Sequence, residues 1–156
     1  MISVNVILEN KLWNTKIKKI NNFLNNIIKF FPQKYQFKGK KVSFSVLLSN
    51  NKNIKKLNNR FRKKNKPTDV LSFPFENNIK KKYILYLGDI IISYEFMNKP
   101  KSLKKLEFSE KLIKIFIHGF LHLLNYNHIK LKDYKKMHKE EVKIFNLLKK
   151  KIEILL

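Results

Sequence analysis

The residues with the plainest chemical potential sit in one short stretch, His118-Gly119-Phe120-Leu121-His122-Leu123-Leu124-Asn125-Tyr126-Asn127-His128. On an α-helix advancing about 100° per residue, His118 and His122 project from one face, about 6 Å apart along the axis. One metal ion reaches both. His128 follows just past a turn placed at Asn125, because Asn tolerates the left-handed conformation of a helix exit better than most non-Gly residues. Three neutral imidazoles around Zn²⁺, with water in the fourth position, describe an open catalytic site rather than a closed structural one.

The competing view is that these are three unrelated histidines. Against it, the segment from Leu112 to Leu124 is apolar almost all round. That places His118 and His122 in the interior, where an imidazole needs a partner. Gly119 carries a second signal, since Gly inside a helix costs about 1 kcal/mol relative to Ala. Its place beside a candidate ligand points to close approach by substrate or neighbouring backbone, or else to tight helix packing. The zinc-peptidase pattern H-E-x-x-H needs Glu where Gly119 stands, which makes peptide hydrolysis the weaker enzyme reading. His138, the remaining histidine, lies in a lysine-rich segment and reads as a solvated surface residue.

Positioning these residues takes a mixture of strands and helices. Ile2, Val4, Val6 and Leu8 alternate with more polar neighbours, as do Val42, Phe44, Val46 and Leu48, which is the period of half-buried strands. Between them Ile17, Ile20, Leu24, Ile27 and Phe31 recur at helical spacing, with Phe31-Pro32 and Gly39 marking the exit and a loop. A second short helix places Ile54, Leu57 and Phe61 on one face. Pro67 and Pro74 bracket a run that suits an edge strand, since proline cannot donate to a sheet ladder. Ile84 to Tyr94 reads as another strand, with Gly88 before Asp89 as a bulge. Leu103 to Leu124 and Asp133 to Ile154 read as two long helices. The class is α+β.

The chain has 156 residues, which favours one domain with one core. It contains no cysteine, so a metal site must be built from His, Asp or Glu. No apolar run is long enough to span a bilayer, and the first residues lack a secretory signal, so a cytoplasmic location is expected. Lys and Arg number 35 against 11 Asp and Glu, a formal charge of +24 that attracts polyanions, nucleic acid first. Nearly all of this charge is Lys, Asn is abundant and Ala is absent. An AT-rich codon bias would leave the same pattern, so charge supports an RNA or DNA partner without choosing an activity.

The stretch from His118 to His128 resembles the HGxLHLxGYDH signature of the YbeY family of zinc-dependent endoribonucleases that mature ribosomal RNA. Two further blocks match in order. One is Leu57-Asn58 with Phe61-Arg62, leading to Thr68-Asp69-Val70-Leu71-Ser72-Phe73-Pro74-Phe75; the other runs from Leu87 to Ser93. Met137 to Glu141 fits the acidic stretch that follows. The similarity spans about residues 40 to 145. It implies an α+β fold with a small mixed four-stranded sheet and about four to five helices, a zinc site at a helix end and the following turn, and one hydrolase domain over residues 1–156. It also implies a role in late ribosomal RNA processing and ribosome quality control. Two positions depart from the signature, Asn125 for Gly and Asn127 for Asp. The first suits a left-handed residue. The second removes a charge that raises the basicity of neighbouring imidazoles.

Arg62 aligns with the family's functional arginine, and its chemistry agrees, because a guanidinium clamps a phosphate with two parallel hydrogen bonds that Lys cannot copy. Arg60 is the chain's other arginine and reads as a helix-surface residue. Asp69 and Asp89 are candidate positioning carboxylates or loop caps. The resulting expectation is a hydrolase that cuts single-stranded RNA near the 3′ end of small-subunit ribosomal RNA. It would use one Zn²⁺ on His118, His122 and His128, with Arg62 as catalytic residue. Ribosomal RNA is its expected partner, with the ribosome or small-subunit proteins beside it. The alternative is a ribosome-assembly RNA-binding protein with a structural metal and little cleavage.

Overall fold

Alternating apolar residues build one sheet in the computed structural model, which describes residues 1–75 and 84–156. Its strands are β1 (Ile2–Leu8), β2 (Lys41–Ser49), β3 (Val70–Pro74) and β4 (Ile84–Ser93), in the order β1-β2-β4-β3. β1 and β4 run parallel to β2, and β3 runs antiparallel to β4. The mixed four-stranded sheet and the edge position of the proline-bracketed strand therefore match the sequence expectation. At Gly88 the pairing of β2 with β4 slips between Ser43 and Ser45, as a bulge requires. Gly88 sits at φ +130°, where a Cβ would stand 2.1 Å from the Phe73 carbonyl oxygen, so no other residue fits.

Six α-helices occur among the described residues: α1 (Trp13–Lys16), α2 (Ile20–Ile27), α3 (Asn51–Arg62), α4 (Tyr94–Met97), α5 (Lys105–Leu123) and α6 (Leu131–Leu155). α1 and α4 are single turns. The continuous helix expected over Ile17 to Phe31 is instead divided. Lys19 adopts a left-handed conformation, and the final turn, Ile28–Phe30, tightens to a 3-10 helix. Tertiary packing overrides the local period here. Trp13 lies edge-on to Tyr94 and Phe108, and its indole N–H donates to the Ser49 carbonyl at 3.1 Å.

α2, α5 and α6 share the main core with one face of the sheet, where Phe44, Phe116, Phe120 and Ile90 are fully buried. α3 covers part of the other face through a smaller cluster of Ile54, Leu71 and Ile91. Asn50 caps α3 by accepting the Asn53 N–H at 2.9 Å. Lys63, left-handed, ends it immediately after Arg62. Gly119 marks where α5 meets the sheet. A Cβ there would lie 2.9 Å from Ile90 Cγ2 and 3.2 Å from Ser72 Oγ, and the Ser72 hydroxyl donates to the Gly119 carbonyl at 3.2 Å. Of the accounts offered for this glycine, tight packing of helix on sheet is the one observed. No helix among the described residues is long and apolar enough to cross a membrane.

Candidate metal centre and its cleft

His118 and His122 project from the last turns of α5, and the turn that follows brings His128 back to them. That turn is built by Asn125, left-handed at φ +63°. The Tyr126 N–H donates to Leu121 O at 3.0 Å and the Asn125 N–H to His122 O at 2.9 Å, the paired bonds of a Schellman motif. Asn at 125 thus adopts the left-handed conformation that the signature's Gly would supply. One ring nitrogen from each of His118, His122 and His128 falls within 4.8 Å of the others, so the group could hold a metal ion. Neither helical histidine is fully buried as the apolar pattern predicts. His118 is 28% exposed, because the two rings line a cleft instead of the core.

The outer nitrogens decide what the inner ones do. His118 Nδ1 lies 2.6 Å from a Glu141 carboxylate oxygen on α6, and His122 Nδ1 lies 2.8 Å from the Tyr126 carbonyl. Carboxylate and carbonyl only accept, so each Nδ1 carries the hydrogen and each Nε2 of a neutral ring presents a lone pair. Those two Nε2 atoms face each other at 3.0 Å. Two lone pairs at that distance repel unless a proton or a cation lies between them. A tetrahedral ion with nitrogens at 2.0–2.1 Å sets them about 3.3 Å apart, close to the spacing found. The proton is the poorer occupant, because burial first, and then the charge of His118, lowers the pKa of His122. The donor set therefore fits a metal.

Glu141 is the contributor that sequence reasoning passed over. The acidic stretch at Met137 to Glu141 was visible, but which carboxylate faces His118 depends on how α6 packs on α5. Burial pushes the Glu141 pKa up, and the hydrogen bond and charge of His118, with a smaller contribution from His138, bring it below its ordinary value. His138 is exposed as expected, with Nδ1 3.6 Å from Glu141 and its ring stacked on Tyr134. Neighbouring Glu140 supports the turn from behind. It accepts from the Tyr35 hydroxyl at 2.8 Å and pairs with Lys34 at 2.6 Å, while the Tyr35 oxygen lies 3.4 Å from that of Tyr126. Burial first, then the hydrogen bonds to Tyr126 and Glu140, raises the Tyr35 pKa and keeps its phenol protonated. Asn127 bonds within its own turn, accepting from the Ile129 N–H at 3.4 Å. The acceptors that orient His118 and His122 are thus Glu141 and the Tyr126 carbonyl.

The cleft encloses about 760 Å³, and Arg62 lines it with all three histidines, although it arrives from the far end of α3. Asn58, buried on α3, donates to the Lys66 carbonyl at 2.7 Å and so fixes the turn that follows Arg62. Arg60 points elsewhere and lies over the Phe61 ring. The two aspartates separate. Asp69 lines the cleft, with Oδ1 accepting from the Val70 N–H and the Thr68 hydroxyl. Asp89 accepts from Tyr86 at 2.6 Å and is not among the residues lining the cleft.

Known proteins share this sequence and architecture. Residues 7–149 match the family model described as Endoribonuclease YbeY. A Pelagibacter ubique protein named Endoribonuclease YbeY is 62% identical over 152 residues, covering 97% of this chain and 99% of its own. An Ehrlichia canis protein of the same name is 36% identical over 148 residues, covering 95% of this chain and 93% of its own. A Thermotoga maritima protein solved in solution superposes with a TM-score of 0.54 at 25% identity, over 95% of this chain and 89% of that one. With its family model matched over most of its length, the chain belongs to the endoribonuclease YbeY family.

Proposed function

We propose that this protein is a zinc-dependent endoribonuclease that cleaves single-stranded RNA in the cytoplasm, in the maturation of small-subunit ribosomal RNA at its 3′ end and in ribosome quality control. One observation carries the reading. The lone pairs of His118 and His122 converge at 3.0 Å on the floor of a cleft that Arg62 also lines. Family membership supports the activity, and the +24 charge supports a polyanionic substrate.

His118, His122 and His128 would hold the ion. The chemistry supplied there by a bound zinc ion would be a lowered pKa for coordinated water and an offset to charge on a phosphoryl oxygen. The protein's own groups do the rest. Glu141 and the Tyr126 carbonyl fix the ring orientations and keep each Nδ1 protonated. Arg62 grips the phosphate with a planar fork that favours the more highly charged transition state over the ground state. Asp69 is the one carboxylate among the described residues lining the cleft, and the reading gives it the role of proton acceptor.

The test pairs elemental analysis with cleavage of structured and unstructured RNA. The reading predicts about one zinc per chain, lost in His118→Ala together with cleavage. Unchanged metal content in His118→Ala would overturn the site. Full metal loading without cutting of any single-stranded RNA would overturn the activity.

A further inference from the structure

A second hollow lies on the other side of His118. It opens between α5 and α6, encloses about 490 Å³ and shares Asp69 and His118 with the metal cleft. The hydrogen bond from His118 to Glu141 forms the wall between the two. Ile115, Val142 and Phe145 give it an apolar lining, while Lys114 and Asn146 bring a cation and an amide. Val142 is 44% exposed, and Lys114 Nζ lies 4.7 Å from the centre of the Phe145 ring. The chemistry described so far uses none of these five residues.

A flat body with apolar faces and a hydrogen-bonding edge suits such a lining, and a nucleobase has that form. Proteins that bind single strands combine aromatic platforms with cations along the backbone path, and read base edges with donors and acceptors. We infer that the groove between α5 and α6 is a base-binding subsite, which takes one unstacked base of single-stranded RNA beside the phosphate held at the histidine cluster. Phe145 supplies the stacking surface, Asn146 offers both a donor and an acceptor to the base edge, and Lys114 draws in the backbone. The volume falls in the roughly 300–1,000 Å³ usual for small-molecule clefts. Continuity with the metal cleft and the cation at its edge favour an RNA base over the apolar side chain of a protein partner. This inference rests on the reading of the histidine cleft as an RNA-cleaving site.

The experiment scans a short mixed-sequence RNA with one abasic nucleotide at a time, measuring equilibrium binding and single-turnover cleavage with zinc-loaded protein. In the wild type, one abasic position next to the cut should weaken binding by at least about fivefold, the lower end for a stacked base. Val142→Trp fills the hollow from an exposed position. It should weaken binding of intact RNA by a similar factor and erase the abasic penalty. Phe145→Leu keeps an apolar side chain but removes the platform, and should reduce the penalty in parallel. A flat abasic scan with normal cleavage overturns the subsite and leaves the proposed function standing. A position-specific penalty in binding without cleavage supports the subsite and overturns the proposed function. Unchanged RNA binding by Val142→Trp together with weaker association with purified ribosomal proteins overturns the subsite in favour of a protein occupant.

Discussion

Replacing Glu141 by Gln tests the metal centre where it is least visible from sequence. The change keeps an acceptor near His118 Nδ1 and removes only the charge. The native bond is 2.6 Å, in the range of a charge-assisted contact. Such bonds contribute about 1.5–3 kcal/mol, against about 0.5–1.5 for neutral ones, a difference of about 1–1.5 kcal/mol. If the carboxylate spends that difference on making His118 a better donor, metal affinity falls about tenfold. Glu141→Ala removes the acceptor altogether and should approach 100-fold, the upper end for groups that orient metal-bound histidines. The assay is competition with a chromogenic zinc chelator at fixed pH, with Glu153→Gln, on an exposed part of α6, as the control. Affinity of Glu141→Gln within twofold of wild type would refute the argument, because the ion would then be indifferent to the charge behind its ligand.

Arg62→Lys should keep zinc and fold but lose about 100-fold in single-turnover cleavage, while Arg60→Lys behaves as wild type; near-normal cutting by Arg62→Lys would demote Arg62 to surface charge. Asp69→Asn retains the Oδ1 acceptor for Val70 and Thr68 and removes the basic oxygen, so metal content should hold while cleavage slows; an unchanged rate would show that the proton leaves by another route. Gly119→Ala should lower the melting temperature, since overpacking against buried Ile90 costs about 1–3 kcal/mol and exceeds the helix-propensity gain of about 1 kcal/mol; a rise would show that the sheet yields. Folding lowers the pKa of His122, so the unfolded chain binds the proton more readily. The metal-free protein should therefore be most stable above about 6.5, the ordinary histidine value, and lose stability as pH falls below it. Glu140 and Glu141, also lowered, add a second loss as pH drops below their ordinary 4.5. Melting curves across pH check both, and a flat profile would contradict them. RNA affinity should fall steeply with salt; a flat dependence would mark the lysine excess as codon bias alone.

The parts of the molecule most legible in the sequence are those set by local pattern. Strand alternation, the proline brackets of β3, the bulge at Gly88 and the left-handed Asn125 each follow from backbone preferences within a few residues, and each lies where the pattern put it. The three histidines were legible for the same reason, since helix geometry alone pairs His118 with His122. What escaped depends on packing between distant segments. The break at Lys19 carries no Gly or Pro to announce it. Partial exposure of the histidines comes from a cleft that an apolar helix does not advertise. Glu141 could be assigned only once α6 had a rotation relative to α5, and Asn127 only once its turn had a shape.

The centre is assembled from two kinds of distance along the chain. Every nitrogen for the ion, and both groups that orient His118 and His122, lie within residues 118–141, on one hairpin of α5, its turn and α6. Arg62, the proposed phosphate clamp, comes from the end of α3, beyond the sheet. On the proposed reading, ion uptake would draw on a local structure, while cutting would draw on the completed whole. Zinc stoichiometry would then certify the hairpin and would say nothing of α3. A preparation could then be fully loaded and still contain chains without activity, so the active fraction would have to be counted by a burst of RNA cleavage.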